Sequence, residues 1–255
     1  MKAFPKALSY TALFIISLLY TACTKEDHNP NGAPVCRVYQ LIGLIDYHQD
    51  TITIVYNNKG NPVEMNRTFV STGSPRYVFK YDKRDRLIDL IGLYNHPTNY
   101  EIRFRYAYDH KDRISSDTAY VLGFVGVPNR PEYFREYIYD NKDRLVEFRH
   151  KSPIYPDSYW AYYYHYNQQG NLEKVTNEYG SEVPLFSFDY DNKVNINSLH
   201  PIWQFLSGDY SRNNLSIALA YNVKGLPTVF NQGEKMDGHF ANISFNNLEV
   251  VYQCR

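Results

Sequence analysis

Seven segments of the chain alternate apolar and polar residues and end on a tyrosine, at Tyr56, Tyr81, Tyr108, Tyr139, Tyr166, Tyr190 and Tyr221. Two residues before each stand Ile54, Phe79, Tyr106, Tyr137, Tyr164, Phe188 and Leu219; four before stand Ile52, Tyr77, Phe104, Arg135, Tyr162, Phe186 and Ile217. A period of two predicts strands that bury one face, and Arg135 alone breaks the apolar stripe. Each Tyr is followed by Asp or Asn, two mostly polar residues, usually Gly or Asp, and an aliphatic or Pro restart, as in Tyr81-Asp82-Lys83-Arg84-Asp85-Arg86-Leu87.

That phrase is a hairpin turn written in side-chain chemistry. Asp or Asn after the Tyr can accept from backbone N–H groups further along. The fifth place holds Gly60, Asp85, Asp112, Asp143, Gly170 and Gly225, residue types that tolerate the left-handed backbone closing such a turn. Val194 holds it in the sixth copy, and a β-branched residue is poorly suited there, so that turn is expected to be distorted or replaced. Isolated hairpins are marginal in water, so consecutive ones should pair. The expectation is an all-β domain over 35–255: one extended antiparallel sheet, twisted and curled over its apolar face. Pro201-Ile202-Trp203-Gln204-Phe205-Leu206 reads either as a one-turn helix plugging an open edge or as a buried loop.

Tyr is unusually common, 26 of 255 residues, which favours strands over helices. The N-terminus departs from the pattern. Lys2 and Lys6, an apolar stretch from Ala7 to Tyr20, and Tyr20-Thr21-Ala22-Cys23 resemble a bacterial lipoprotein signal over 1–22, although Tyr20 stands where Leu is usual. Acyl chains on Cys23 would anchor the protein to a membrane. Residues 23–34 read as a flexible polar tether, and Lys25-Glu26-Asp27 looks like the surface-export signals of Bacteroidetes lipoproteins. An exported chain tolerates disulfides. Cys36 and Cys254 bracket the repeats, and a bond between them requires Cα atoms within ~7 Å, hence a sheet that closes on itself or ends that fold back together.

Charge is balanced at 27 basic to 27 acidic residues; loss of Lys2 and Lys6 with the signal leaves 25 to 27. No basic footprint for nucleic acid results. The sequence has no HExxH spacing, no Gly-x-Ser-x-Gly elbow and no phosphate-cradling glycine loop, and no metal or cofactor is expected. Asp82, Asp109 and Asp140 could be read as glycoside-hydrolysis acids, but their repeated place makes them turn formers. Asp189, Asp191 and Asn195 resemble a calcium loop only superficially. In the cluster Tyr159-Trp160-Ala161-Tyr162-Tyr163-Tyr164, alternation sends Trp160, Tyr162 and Tyr164 to the core face and Tyr159 and Tyr163 to the other. Those two are the candidates for stacking on a ligand. Asp50-Thr51-Ile52 and Asp117-Thr118-Ala119 look like the short O-glycosylation sites of Bacteroidetes.

The Tyr-Asp-x-x-Gly-Arg-Leu-like phrase, clearest at Tyr81 to Leu87 and Tyr139 to Leu145, is similar to the YD repeats of the Rhs family. Together with the lipoprotein signal it resembles an uncharacterised family of Bacteroidetes lipoproteins, some described as porin-like in fold. The resemblance implies sheet shape and an outer-membrane location, at the cell surface or the periplasmic face. It does not carry over the toxin-enclosing role of large Rhs proteins, for which this chain is too short. The expected function is a lipid-anchored envelope module that binds or scaffolds, with a glycan or an envelope protein as partner. An envelope polysaccharide hydrolase and a purely structural component are the alternatives.

Overall fold

The computed structural model describes residues 36–254 except 46, 71–72, 96–97, 128, 156, 184–188, 216–217, 231–238 and 242. The signal, Cys23 and the tether lie outside the described residues, as do Phe186, Phe188 and Ile217 of the apolar stripe.

Eleven strands follow one another as a meander: β1 (Cys36–Ile45), β2 (His48–Tyr56), β3 (Pro62–Arg67), β4 (Arg76–Tyr81), β5 (Leu87–Leu93), β6 (Asn99–Tyr108), β7 (Ile114–Phe124), β8 (Pro131–Tyr139), β9 (Leu145–Lys151), β10 (Tyr159–Tyr166) and β11 (Leu172–Asn177). The chain then leaves the sheet. It forms β12 (Tyr190–Val194), a 3-10 turn (Ile196–Leu199), α1 (Pro201–Ser207) and β13 (Asn213–Leu215). It continues through β14 (Ala218–Tyr221), β15 (Pro227–Phe230), β16 (His239–Phe240), β17 (Ile243–Ser244) and β18 (Asn246–Cys254). The main sheet has 14 strands in the order β11 to β1, then β18, β15 and β14, and it is not closed into a barrel. Cys36 and Cys254 sit opposite each other in the β1–β18 pair, disulfide-bonded with Cα atoms 4.0 Å apart. The last strand therefore folds back onto the first and extends the sheet past it, and the seventh hairpin joins the far edge.

The turns form as their residue types dictate. In the copy at Asp82, Oδ1 accepts from the N–H of Arg84 (2.8 Å) and of Arg86 (3.0 Å), and Asp109, Asp140 and Asn57 repeat this. The fifth residue is left-handed in each of the six copies, with φ from 60° at Asp112 and Asp143 to 88° at Gly170. A further turn of the same kind, Asn177 to Ser181 with Gly180 at φ 76°, has no leading Tyr and escaped the pattern. At Val194 the turn is replaced. Asp191 still accepts from the Lys193 N–H, but the backbone stays extended and runs on into the 3-10 turn.

The tyrosines lock neighbouring hairpins together. Four phenols donate to the carbonyl of the residue that restarts the preceding hairpin: Tyr81 to Pro62 (2.6 Å), Tyr108 to Leu87 (2.8 Å), Tyr139 to Ile114 (2.9 Å) and Tyr166 to Leu145 (3.0 Å), whereas Tyr190 meets Ser211 and Tyr221 donates to Asp191. Tyr252 does the same to Pro227, and Tyr56 donates to the carbonyl of Val38 within β1. Arginines lie over the rings, Arg86 on Tyr108, Arg113 on Tyr139 and Arg144 on Tyr166, each held by the Asp that starts its own turn. Cation–π contact adds to the hydrogen bond.

The insert between β12 and β13 is the helix reading of Pro201–Leu206 made concrete. Trp203, 1 % exposed, packs edge-on against Tyr56 and Phe79; Phe205 packs on Tyr106 and Tyr137, and Tyr210 on Tyr139. The sheet curls around this plug, and its core includes Val38, Ile52, Met65, Leu145 and Val250. Leu219 was expected in the apolar stripe but is exposed, because a register shift between Ala218 and Ala220 displaces it.

The plug's start rests on a neutral imidazole. His200 Nδ1 accepts from the Ile202 N–H at 3.2 Å, which leaves Nε2 to donate to Asn61 Oδ1 at 3.3 Å. Burial lowers the His200 pKa to about 4. The unfolded chain takes up this proton near pH 6.5 and the folded one only near pH 4. The stability it contributes is therefore full above pH 6.5 and is lost as pH falls towards 4, by up to about 3 kcal/mol. Urea midpoints measured from pH 7 to 4 should fall more steeply for the wild type than for His200→Asn, which can still cap; parallel curves would rule this out. Tyr108→Phe leaves the Leu87 carbonyl without its donor and should cost about 1–2 kcal/mol in the same assay. An unchanged midpoint would show that water replaces the phenol.

Candidate functional site

The meander places its hairpin turns along one rim of the sheet and its longer connections along the other. On the core face near the second rim, β6 and β8 to β10 carry aromatic residues that the plug does not reach. Their register sets Asp117 opposite Arg135, Arg135 opposite His150, and His150 opposite Trp160. Trp160 stacks on His150 with ring centroids 4.6 Å apart and planes 14° apart, and touches Phe148 and Tyr162. His150 meets Tyr133 at 4.6 Å, and Tyr133 meets Phe104. The result is an aromatic shelf built from four strands, β6, β8, β9 and β10.

Arg135, the residue that interrupts the apolar stripe, forms the shelf's rigid floor. Its guanidinium lies 4.2 Å from the Phe104 ring centroid and grips Asp117, with Nε 3.0 Å from both carboxylate oxygens and an Nη at 2.9 Å. The Tyr137 phenol donates to the same carboxylate at 2.5 Å. Burial pushes the Asp117 carboxyl up, while Arg135 and the Tyr137 hydroxyl work against that rise. Burial works to lower the Arg135 pKa, but Tyr137 and Asp117 raise it overall, so the guanidinium is a fixed cation. Burial, and then Arg135, lower the His150 pKa, which keeps the imidazole neutral and able to stack at physiological pH. A buried pair of this kind is weak support for stability, and its fixed geometry suits it to holding a surface.

Trp160 was expected in the core with Tyr162 and Tyr164. Tyr164 does pack against the core, but Trp160 is 39 % exposed, because the plug ends before it can cover the outer ends of β9 and β10. Tyr159 and Tyr163 lie on the opposite face of β10. Tyr159 is exposed with the Arg149 guanidinium 5.4 Å from its ring, and Tyr163 is half-buried and pairs in register with Glu147. On that face a cavity of about 260 Å³ is lined by Ser116, Thr118, Phe134, Glu136 and Lys151 among others. Glu136, its carboxylate on this face, is ion-paired to Lys151 and Arg149.

The other carboxylates read from sequence have structural work. Asp82, Asp109 and Asp140 are saturated by their turns, with pKa values below the ordinary carboxylate range. Asp191 serves Lys193 and Tyr221, and Asn195 caps the 3-10 turn. Among the described residues, no three His, Cys, Asp or Glu side chains gather as a metal site would require. The aspartates of both short glycosylation-like tripeptides are buried ion-pair acids, Asp50 with Arg67 and Asp117 with Arg135. The shelf itself was missed as a site. Its one sequence signal was the lone charge at Arg135, whose partner is visible only once the register is known.

No protein-family model matches the chain, and no curated protein matches it. Some solved structures are similar to it at low identity and low TM-score. The crystal structure of TcdB2-TccC3-Cdc42 is 17 % identical over 75 % of this chain and 10 % of that one, with a TM-score of 0.32. TcdB2-TccC3 is 14 % identical over 86 % and 14 %, with a TM-score of 0.31. A porin-like protein from Bacteroides uniformis is 10 % identical over 85 % of this chain and 96 % of its own, with a TM-score of 0.34. The chain thus spans about a tenth of the length of the first of these. At such values the likeness carries no weight here, and activity has to be read from the chain's own residues.

Proposed function

We propose that this protein is a cell-envelope binding module, anchored by lipid at Cys23, that holds a glycan against the aromatic shelf of Trp160, His150 and Tyr133. The supporting observation is the parallel, stacked Trp160–His150 pair, with Trp160 exposed and His150 half-buried, fixed on paired strands above a buried ion pair. Pyranose rings present an apolar face that stacks on such surfaces, and a flat aromatic body with a polar tip suits partly wet binding. The carboxylates that a hydrolase would use, Asp82, Asp109 and Asp140, are committed to turns, which favours binding over catalysis. Tyr159 and Tyr163 on the reverse face are a second stacking surface, favoured by the exposure of Tyr159.

The two tryptophans make the test direct, since Trp160 faces solvent and Trp203 does not. Titration of the purified protein with envelope oligosaccharides should shift the Trp160 emission saturably. Trp160→Ala should weaken binding at least tenfold while Tyr159→Ala leaves it unchanged. The reverse pattern would move the site to the Tyr159 face. No saturable binding of any sugar would end the glycan reading.

A further inference from the structure

The floor of the aromatic shelf keeps hydrogen-bond donors that folding leaves unpaired. Asp117 takes the side edge of the Arg135 guanidinium, through Nε and Nη2. Among the described residues, the buried side-chain polar atoms without a hydrogen-bond partner are Arg76 Nε and the Tyr106 hydroxyl. Arg135 Nη1 is not one of them: it has no partner but reaches solvent, on a side chain 19 % exposed. The same holds for the Tyr133 hydroxyl and for both ring nitrogens of His150. The carboxylate in their midst, Asp117, is saturated, since it accepts from Arg135 and from the Tyr137 hydroxyl. Glu136 and Glu147 alternate to the opposite face, where Lys151 and Arg149 hold them. Spare donors beside a filled acceptor suit a ligand that brings acceptors of its own.

We propose that the sugar held on the shelf is an acidic one, a uronic-type residue whose carboxylate lies against the free end of Arg135, with the Tyr133 hydroxyl and His150 beside it. The inference rests on the glycan reading of the shelf and names the class of sugar. Arg135 and His150 stand opposite each other on β8 and β9, and the guanidinium carbon lies 5.6 Å from the Tyr133 ring centroid, so the three donors are neighbours.

The local field has the sign an anion needs. Burial, and then Arg135, lower the His150 pKa, with Asp117 opposing less strongly. At the shelf the cation's field therefore exceeds that of its buried partner. A carboxylate on an arginine edge makes charge-assisted, paired hydrogen bonds, stronger than those a neutral sugar hydroxyl makes. Asp117 and the Phe104 and Tyr133 rings already hold the guanidinium, so little freedom is lost when the ligand arrives.

The test compares matched sugars on the purified protein through Trp160 emission. Galacturonate and glucuronate oligomers are each set against the oligomer of equal length and linkage that carries a hydroxymethyl group in place of the carboxylate. At least one acid should bind about tenfold more tightly than its neutral parent. Asp117→Asn, which keeps the cation and removes its counter-charge, should widen that ratio. Arg135→Gln with Asp117→Asn replaces the ionic pair by a neutral hydrogen-bonded one, so that no buried charge is left alone, and should remove the preference. Arg149→Gln takes a cation from the reverse face and should leave the ratio as it is. Equal affinity of wild type for acid and parent, a preference that survives the double variant, or one that Arg149→Gln abolishes would overturn the proposal while the glycan reading stands. Absence of saturable binding by every sugar, acidic and neutral, would end both.

Discussion

A long antiparallel sheet with one apolar face has to find cover for that face, and the rest of this structure follows from how the chain supplies it. The main sheet has fourteen strands. The segment from Ile196 to Tyr210 crosses the core face and carries Ile202, Trp203, Phe205 and Tyr210 into the groove formed by the curl. Burying a large aromatic side chain contributes several kcal/mol, so Trp203 and Phe205 set the radius around which the strands bend. A polar cluster fixes the plug from behind. Asp209 accepts from both Asn195 and Asn197, Ser207 donates to Asn197, and the Ser211 N–H closes the loop on Asp209. Each of these buried groups has a partner, which is what makes such a cluster stabilising.

Leaving α1, the chain returns to the β10–β11 turn, where Ser211, Arg212 and Asn213 bond to Leu172, Gly170 and Asn171, and the seventh hairpin and the last strand nevertheless pair beyond β1 instead of beyond β11. The disulfide between Cys36 and Cys254 then ties residues 218 apart, and closing so long a loop removes about 5 kcal/mol of freedom from the unfolded chain in the chain-entropy account. It does so at the seam where β1 meets β18, where the two ends of the repeat region would otherwise fray. Tyr252 completes the same phenol-to-carbonyl bond at that seam that the internal copies make.

The repeated phrase works on two scales. Within a hairpin, Asp or Asn and the left-handed fifth residue shape the turn. Between hairpins, the phenol and the overlying arginine bind each unit to its neighbour, so turn, register and inter-strand contact come from one short segment. All of this chemistry sits on the turn rim, which frees the loop rim to vary. The aromatic shelf lies where no copy of the phrase constrains the sequence. The division resembles that of other repeat scaffolds, in which regular positions build and irregular ones recognise.

The sequence by itself determined the strands, the turn chemistry and the loss of the sixth turn at Val194, because alternation and positive-φ residues act over a few positions and are readable there. It also marked Arg135 as out of place. It could not show that Asp117 lies opposite Arg135, since pairing across strands depends on bulges such as those between Ala107 and Tyr108 or Ala119 and Tyr120 that shift the register. Nor could alternation show that Trp160 stays partly in solvent, because alternation assigns a face and not the cover over it; only the reach of the plug decided that. The open sheet whose last strand returns to the first is likewise a tertiary outcome, set by pairing between strands far apart in the sequence.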